Sequence, residues 1–319
     1  MDRTVSVLWL FAILLFMMQG CGEDEEEFDN DGGGGVVDNA KIINIALPGS
    51  LQNPAFSPDG SAIVFTQFKN GYNEPPASLY IYTFSSGNLK KLVDNEFSNV
   101  NLPGESWKGS KIVFSSERDP HDEIFMIDQA GNSGDEVKVT AQNDKQSYEP
   151  TFSPDAEWIV FESHPVDVEG QGVITKYKVN GTAGYVTLTS SDDDCRQPNW
   201  SPAGDRILYQ RNSGGVWAIW VMNSDGSNKI RVTPESESAT DAAFLSDGTK
   251  IIYSSENENV NLSQLSIINI QTKEIVRVTN SSRYDGAPSI SPDGKRVVFE
   301  STPGDPDESS GSKLWMVEI

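Results

Sequence analysis

Pro54-Ala55-Phe56-Ser57-Pro58-Asp59-Gly60, followed by Ile63-Val64-Phe65, decides the fold, because the chain carries variants of it six times. The others are Ser106-Trp107-Lys108-Gly109 with Ile112-Val113-Phe114; Pro150-Thr151-Phe152-Ser153-Pro154-Asp155-Ala156 with Ile159-Val160-Phe161; and Pro198-Asn199-Trp200-Ser201-Pro202-Ala203-Gly204 with Ile207-Leu208-Tyr209. Ala242-Ala243-Phe244-Leu245-Ser246-Asp247-Gly248 with Ile251-Ile252-Tyr253, and Pro288-Ser289-Ile290-Ser291-Pro292-Asp293-Gly294 with Val297-Val298-Phe299, complete the series. The closing aromatics, at 65, 114, 161, 209, 253 and 299, are spaced by 49, 47, 48, 44 and 46 residues, a period that marks a repeat architecture. Proline at the second position of the turn and glycine at its end join two antiparallel strands.

Each unit holds two further strands. Third strands are read at Leu79–Tyr82, Glu123–Ile127, Ile174–Tyr177, Trp217–Val221, Gln264–Ile268 and Lys313–Val317. Fourth strands follow at Leu89–Leu92, Val137–Thr140, Val186–Thr189, Ile230–Thr233 and Ile275–Thr279. Four short strands in about 47 residues make one propeller blade, so the expected fold is all-β, a six-bladed β-propeller over 41–319. The sixth unit ends at Ile319 without a fourth strand, and Lys41–Ile45 matches no other slot. That segment is expected to close the last blade and cover its edge.

The repeats resemble those of the TolB-like propeller family, whose blades carry Pro-x-Trp-Ser-Pro-Asp-Gly and a Leu-Thr ending. The resemblance covers about 41–319 and implies a six-bladed propeller. TolB itself has an α/β domain and a partner-binding segment ahead of its propeller and is soluble after cleavage. The stretch ahead of Lys41 here reads differently, so the resemblance is taken for the fold and not for the Tol role.

Residues 1–20 read as a lipoprotein signal peptide: Arg3, then the apolar run Val7–Met18, then Met18-Gln19-Gly20-Cys21. Twelve residues at 1.5 Å rise cover about 18 Å, short of the ~30 Å hydrocarbon core. Met18 to Cys21 resembles a bacterial lipobox, which implies acylation of Cys21 and anchoring in the envelope, with the outer membrane as the expected site and its leaflet open. Residues 21–40 hold eight acids, no base and Gly32–Gly35, an acidic tether too polar to bury a core. Asp29-Asn30-Asp31-Gly32 starts like a calcium loop but lacks its closing glutamate.

The net charge of −23 repels phosphate backbones, which argues against nucleic acid as a partner. No Gly-x-Ser-x-Gly elbow occurs, and the two histidines, His121 and His164, read as surface loop residues. Oligogalacturonate lyase resembles this repeat but relies on a metal-binding histidine set that this chain lacks. Asp192–Asp194 and Asp305–Glu308 read as solvated loops, and Cys195 as a small, partly buried residue. No cofactor, metal or catalytic residue is expected.

Loops of one type converge on the channel of a propeller. The segments before each repeat's proline carry Asn53, Glu149, Gln197 and Asp241, with Tyr148, Arg196 and Asp285 close by. These seven residues are expected to ring one channel mouth. The function expected is a monomeric, membrane-tethered, non-enzymatic binding module for an envelope protein or glycan, possessing a basic or donor-bearing tip. The alternative is a channel-mouth hydrolase or lyase on a small or polysaccharide substrate.

Overall fold

A computed structural model describes residues 39–95, 100–101, 106–118, 121–168, 170–257, 260–303 and 311–319. The signal peptide, Cys21, the tether up to residue 38 and the Asp305–Glu308 cluster lie outside these residues. Among them there is no helix, and the strands form six antiparallel sheets.

Blade 1 is β2 (Ser50–Phe56), β3 (Ala62–Phe68), β4 (Ala77–Thr83) and β5 (Asn88–Asn95). Blade 2 has its innermost strand in two pieces, β6 (Val100–Asn101) and β7 (Trp107–Lys108), then β8 (Lys111–Ser116), β9 (Glu123–Asp128) and β10 (Val137–Lys138). Blade 3 is β11 (Lys145–Phe152), β12 (Trp158–Pro165), β13 (Val173–Lys178) and β14 (Val186–Thr187). Blade 4 is β15 (Asp194–Trp200), β16 (Arg206–Ser213), β17 (Val216–Asn223) and β18 (Ile230–Arg231). Blade 5 is β19 (Ser238–Phe244), β20 (Lys250–Asn257), β21 (Val260–Asn269) and β22 (Ile275–Arg277). Blade 6 is β23 (Arg283–Ile290), β24 (Arg296–Pro303), β25 (Lys313–Glu318) and, from the other end of the chain, β1 (Lys41–Ile42).

The repeat motif works as a turn that fastens itself. Ser57 Oγ donates to Asp59 Oδ1 at 2.7 Å and accepts the Ala62 N–H at 3.0 Å. The same pair of bonds recurs at Ser153 with Asp155 and Trp158, and at Ser291 with Asp293 and Arg296. The last turn position is left-handed, which glycine adopts without cost: φ is 71° at Gly60, 74° at Gly204 and 70° at Gly294. Blade 3 places Ala156 there at φ 58°, against the preference of a residue with a Cβ.

The closing aromatics Phe65, Phe114, Phe161, Tyr209, Tyr253 and Phe299 are all buried. The core lies between blades: Val64 and Leu79 of blade 1 cluster with Trp107, Ile112 and Phe125 of blade 2. Six short sheets, each apolar on both faces, bury those faces only by stacking around a ring.

The outermost strands are shorter than expected, two residues in blades 2 to 4. The reason is the threonine that ends them. Thr140, Thr189, Thr233 and Thr279 each turn a hydroxyl onto the third strand, accepting the N–H of Ile124, Ile174, Ile219 and Leu265 at 2.8 to 3.1 Å. The residue before each threonine donates its N–H to the carbonyl of that same third-strand residue, so a side chain replaces the ladder's next backbone bond.

Closure follows the same geometry. Lys41 and Ile42 pair with Met316 and Trp315, and Ile43 donates to Leu314 O at 2.8 Å, taking the place of Val139, Leu188, Val232 and Val278. Ile43 is buried among Leu51, Phe56, Phe65, Val298 and Leu314, across the seam between blades 6 and 1. The expected segment was Lys41–Ile45, but Ile45 leaves the ladder: its N–H bonds back to Ile43 O, a three-residue turn. Ser312 completes the seam by accepting the Leu51 N–H and donating Oγ to Leu51 O.

Candidate functional site

The innermost strands share an irregularity. Register shifts fall between Gln52 and Ala55, Tyr148 and Thr151, Arg196 and Asn199, Thr240 and Ala243, and Gly286 and Ser289. The first bulge residue is left-handed in all five, with φ 50° at Asn53, 50° at Glu149, 47° at Gln197, 49° at Asp241 and 46° at Ala287. In four of them proline follows, so the ladder bond that the bulge interrupts has no N–H to lose. Four bulky residues held there cost conformational energy, and such strain collects where backbone is being aimed.

The bulge turns backbone N–H groups onto the preceding blade. Asn53 N donates to Glu300 Oε2 of blade 6 at 3.0 Å, Gln197 N to Glu162 Oε2 of blade 3 at 3.2 Å, and Asp241 N to Gln197 Oε1 at 3.1 Å. Glu162, Gln210 and Glu300 each directly follow a closing aromatic, on the strand face opposite to it. This row is not among the residues expected at the channel mouth, although the polar residue after Phe161, Tyr209 and Phe299 recurs in the repeat.

Asn53, Glu149, Gln197 and Asp241 therefore do come together, but on strands inside the channel and not on loops. They line a narrow throat with Pro198, Ala242, Ala287 and Pro288. Adjoining it is a chamber of about 270 Å³ lined by Gln52, Tyr72, Glu149, Asp241, Tyr284 and Glu300. Beside it, a wider cavity of about 600 Å³ is lined by Tyr148, Glu162, His164, Arg196 and Gln210. Asp285 is elsewhere. It falls two residues before the bulge position, in the row of Leu51, Cys195 and Ala239, and is buried within its blade accepting Ser281 and Ser301 hydroxyls. Gly286 holds the channel-facing position instead. A Cβ there would lie 2.8 Å from the Tyr284 ring, so the missing side chain admits that ring to the chamber.

Acids dominate this space. Glu149 Oε1 accepts Gln197 Nε2 at 3.1 Å, Glu300 Oε1 accepts Tyr72 Oη at 2.9 Å, and Asp241 Oδ2 accepts Tyr284 Oη at 3.4 Å. Burial raises the carboxyls of Glu149, Asp241 and Glu300, that of Glu300 to about 7, with the charge of Glu162 adding to the effect at Glu149. Burial first, then Glu117, raises Asp122 to about 6; it accepts a bond from Tyr148. His164 is buried, not on the surface as expected, bonded through Nε2 to Glu162 and edge-on to Tyr148. Arg196 is tied to Asp194 at 3.0 Å and lies over Trp217.

Chemically, the site offers oriented acceptors. Among the described residues, no three His, Cys, Asp or Glu side chains come together to hold a metal ion. Asp193 and Asp194 pair with Arg211 and Arg196. Cys195 is fully buried, and burial raises its thiol to about 12, so it is unreactive.

Known proteins agree with this architecture. The chain is 28% identical over 198 residues to the Tol-Pal system protein TolB of Francisella tularensis subsp. holarctica (strain OSU18), a match covering 61% of this chain and 44% of that protein. The chain thus spans under half the length of that relative. The crystal structure of TolB from Acinetobacter baumannii superposes with a TM-score of 0.59 at 18% identity, covering 84% of this chain and 63% of that one. An oligogalacturonate lyase in complex with manganese superposes with a TM-score of 0.57 at 14% identity, covering 84% of this chain and 90% of that one. These two likenesses concern the fold alone. The sequence pattern of the TolB beta propeller domain matches residues 38–217 and, overlapping them, 166–319, and the chain belongs to that family.

Proposed function

We propose that this protein is a non-enzymatic binding module of the bacterial envelope, tethered through an acylated Cys21, that takes a protein or glycan partner at the acidic end of its channel. One observation supports the reading above others: Glu149, Asp241 and Glu300 face one chamber of the channel with no cation among its lining residues. Acids drawn out of water weaken the fold, Arg196 in the adjoining cavity offsets only Glu149 among them, and a basic or donor-bearing tip would relieve the rest. The closed ring keeps that cup rigid, so little ordering is lost on binding.

The test is recovery of partners by the tagged full chain from envelope extract, comparing the native protein with Glu149→Gln/Asp241→Asn. Both residues are half-buried in strained channel strands, so neutral isosteres are the appropriate change. Asp225, in the turn after the third strand of blade 4, and Asp128, at the end of β9, provide the control as Asp225→Asn/Asp128→Asn. The channel pair should abolish recovery and the control pair preserve it. Equal loss from both, or none from the channel pair, would place the binding face elsewhere.

A further inference from the structure

The chamber contains a second anomaly besides its acids. Gln52 is 1% exposed, and neither its Nε2 nor its Oε1 has a hydrogen-bond partner. It stands in the channel-facing row of the innermost strands, with Tyr148, Arg196 and Thr240, and it lines the chamber. A buried amide with both ends unmade costs about 1–3 kcal/mol for each group, so folding alone does not account for it.

We propose that this chamber is a receptor for a primary ammonium, presented by a lysine side chain of the partner. The proposal rests on the reading of the acidic end as the binding face and specifies what enters it. An ammonium brings three donors and no acceptor. The chamber supplies acceptors with spare capacity: Gln52 Oε1 is unused, and each carboxylate oxygen of Glu300 has accepted a single bond, from Asn53 N or Tyr72 Oη. The acids are bridged to one another through Gln197 and the tyrosines and do not converge as metal ligands.

Lysine fits better than arginine for a geometric reason. A guanidinium binds best when both oxygens of one carboxylate are open to a planar fork. Fixed donors occupy both oxygens of Glu300, leaving single lone pairs that suit a point charge with rotatable donors. The chamber's volume of about 270 Å³ admits a four-carbon stem and its ammonium.

The experiment titrates the purified full chain with N-α-acetyl-lysine methylamide by calorimetry and ligand-observed NMR. N-ε-acetylated, arginine, spermidine, calcium and manganese arms run beside it. Saturable binding of the lysine probe is expected with a Kd on the order of millimolar, with at least tenfold loss on N-ε-acetylation. Gln52→Leu should weaken the probe roughly five- to tenfold while leaving the denaturation midpoint equal or higher, because it removes two unsatisfied buried groups. That pairing separates a ligand contact from a damaged fold. No saturation, equal binding of the acetylated probe, or unchanged affinity in Gln52→Leu overturns the proposal. Preference for arginine, a divalent ion or free spermidine over the lysine probe overturns it too. Failure here with partner recovery still dependent on Glu149 and Asp241 would remove the lysine and leave the binding face standing.

Discussion

Replacing Glu300 with glutamine should stabilise the protein above neutral pH and leave it unchanged in mild acid. Glu300 is 3% exposed, and its carboxyl is raised from 4.5 to about 7, chiefly by burial. Below about 7 the fold holds this acid protonated, and above it the carboxylate forms. Its stabilising contribution is complete below about 4.5 and is lost as pH rises through about 7. At about 1.4 kcal/mol per pKa unit, ionised Glu300 opposes folding by about 3 kcal/mol at high pH. Glutamine keeps the same shape, and its carbonyl can still accept the Asn53 N–H. Its amide can donate to Tyr72 Oη in place of accepting from it. The expected gain in Glu300→Gln is therefore up to about 3 kcal/mol near pH 8.5, or roughly 6–12 °C in Tm, and close to zero near pH 5. Urea denaturation of both proteins at the two pH values measures it. A loss at the higher pH would show that Glu300 is ionised and compensated in the fold, and a gain of equal size at both would show that its titration is not the cause; either refutes destabilisation by a buried charge.

Three further changes probe the architecture. Deleting residues 41–46 removes buried Ile43 and bares β25, and should cost at least about 3 kcal/mol; coincident denaturation curves would refute closure by this segment. Ala156→Gly relieves a left-handed alanine at φ 58° and should raise stability by a few tenths to about 1 kcal/mol, the gain being limited by the freer unfolded chain. Gly286→Ala puts a Cβ 2.8 Å from the Tyr284 ring and should cost about 1–3 kcal/mol as that ring is pushed from Asp241; an unchanged urea midpoint would mean the ring moves freely.

Most of the fold was legible in the residues because its determinants are local and repeated. Ser57, Pro58, Asp59 and Gly60 build their turn from their own atoms, and the period of the aromatics counts the blades. Even the closing segment could be assigned, as Lys41–Ile45 with its last two residues too many, since one blade lacked a strand and one strand lacked a blade. The site was legible only in part. Asn53, Glu149, Gln197 and Asp241 stand at one step of the repeat, and residues at one step of a ring meet at its axis. Asp285 was misplaced because a one-residue difference in counting moves a strand side chain to the other face. Ala287 holds the matching step in blade 6, and it carries no polar group to mark it.

What the tertiary structure alone decided depends on contacts between blades. Glu300 and Asn53 are separated by 247 residues, and their hydrogen bond exists only once the ring has closed. Tyr72 reaches the chamber from a loop of blade 1, and Tyr284 enters it because Gly286 leaves room, neither of which a repeat pattern encodes. The raised carboxyls and the unpartnered amide of Gln52 likewise arise from burial, a property of the assembled ring and not of any stretch of chain. Local turns and strand periodicity are set by neighbours in sequence; the chemistry of the channel is set by neighbours across it.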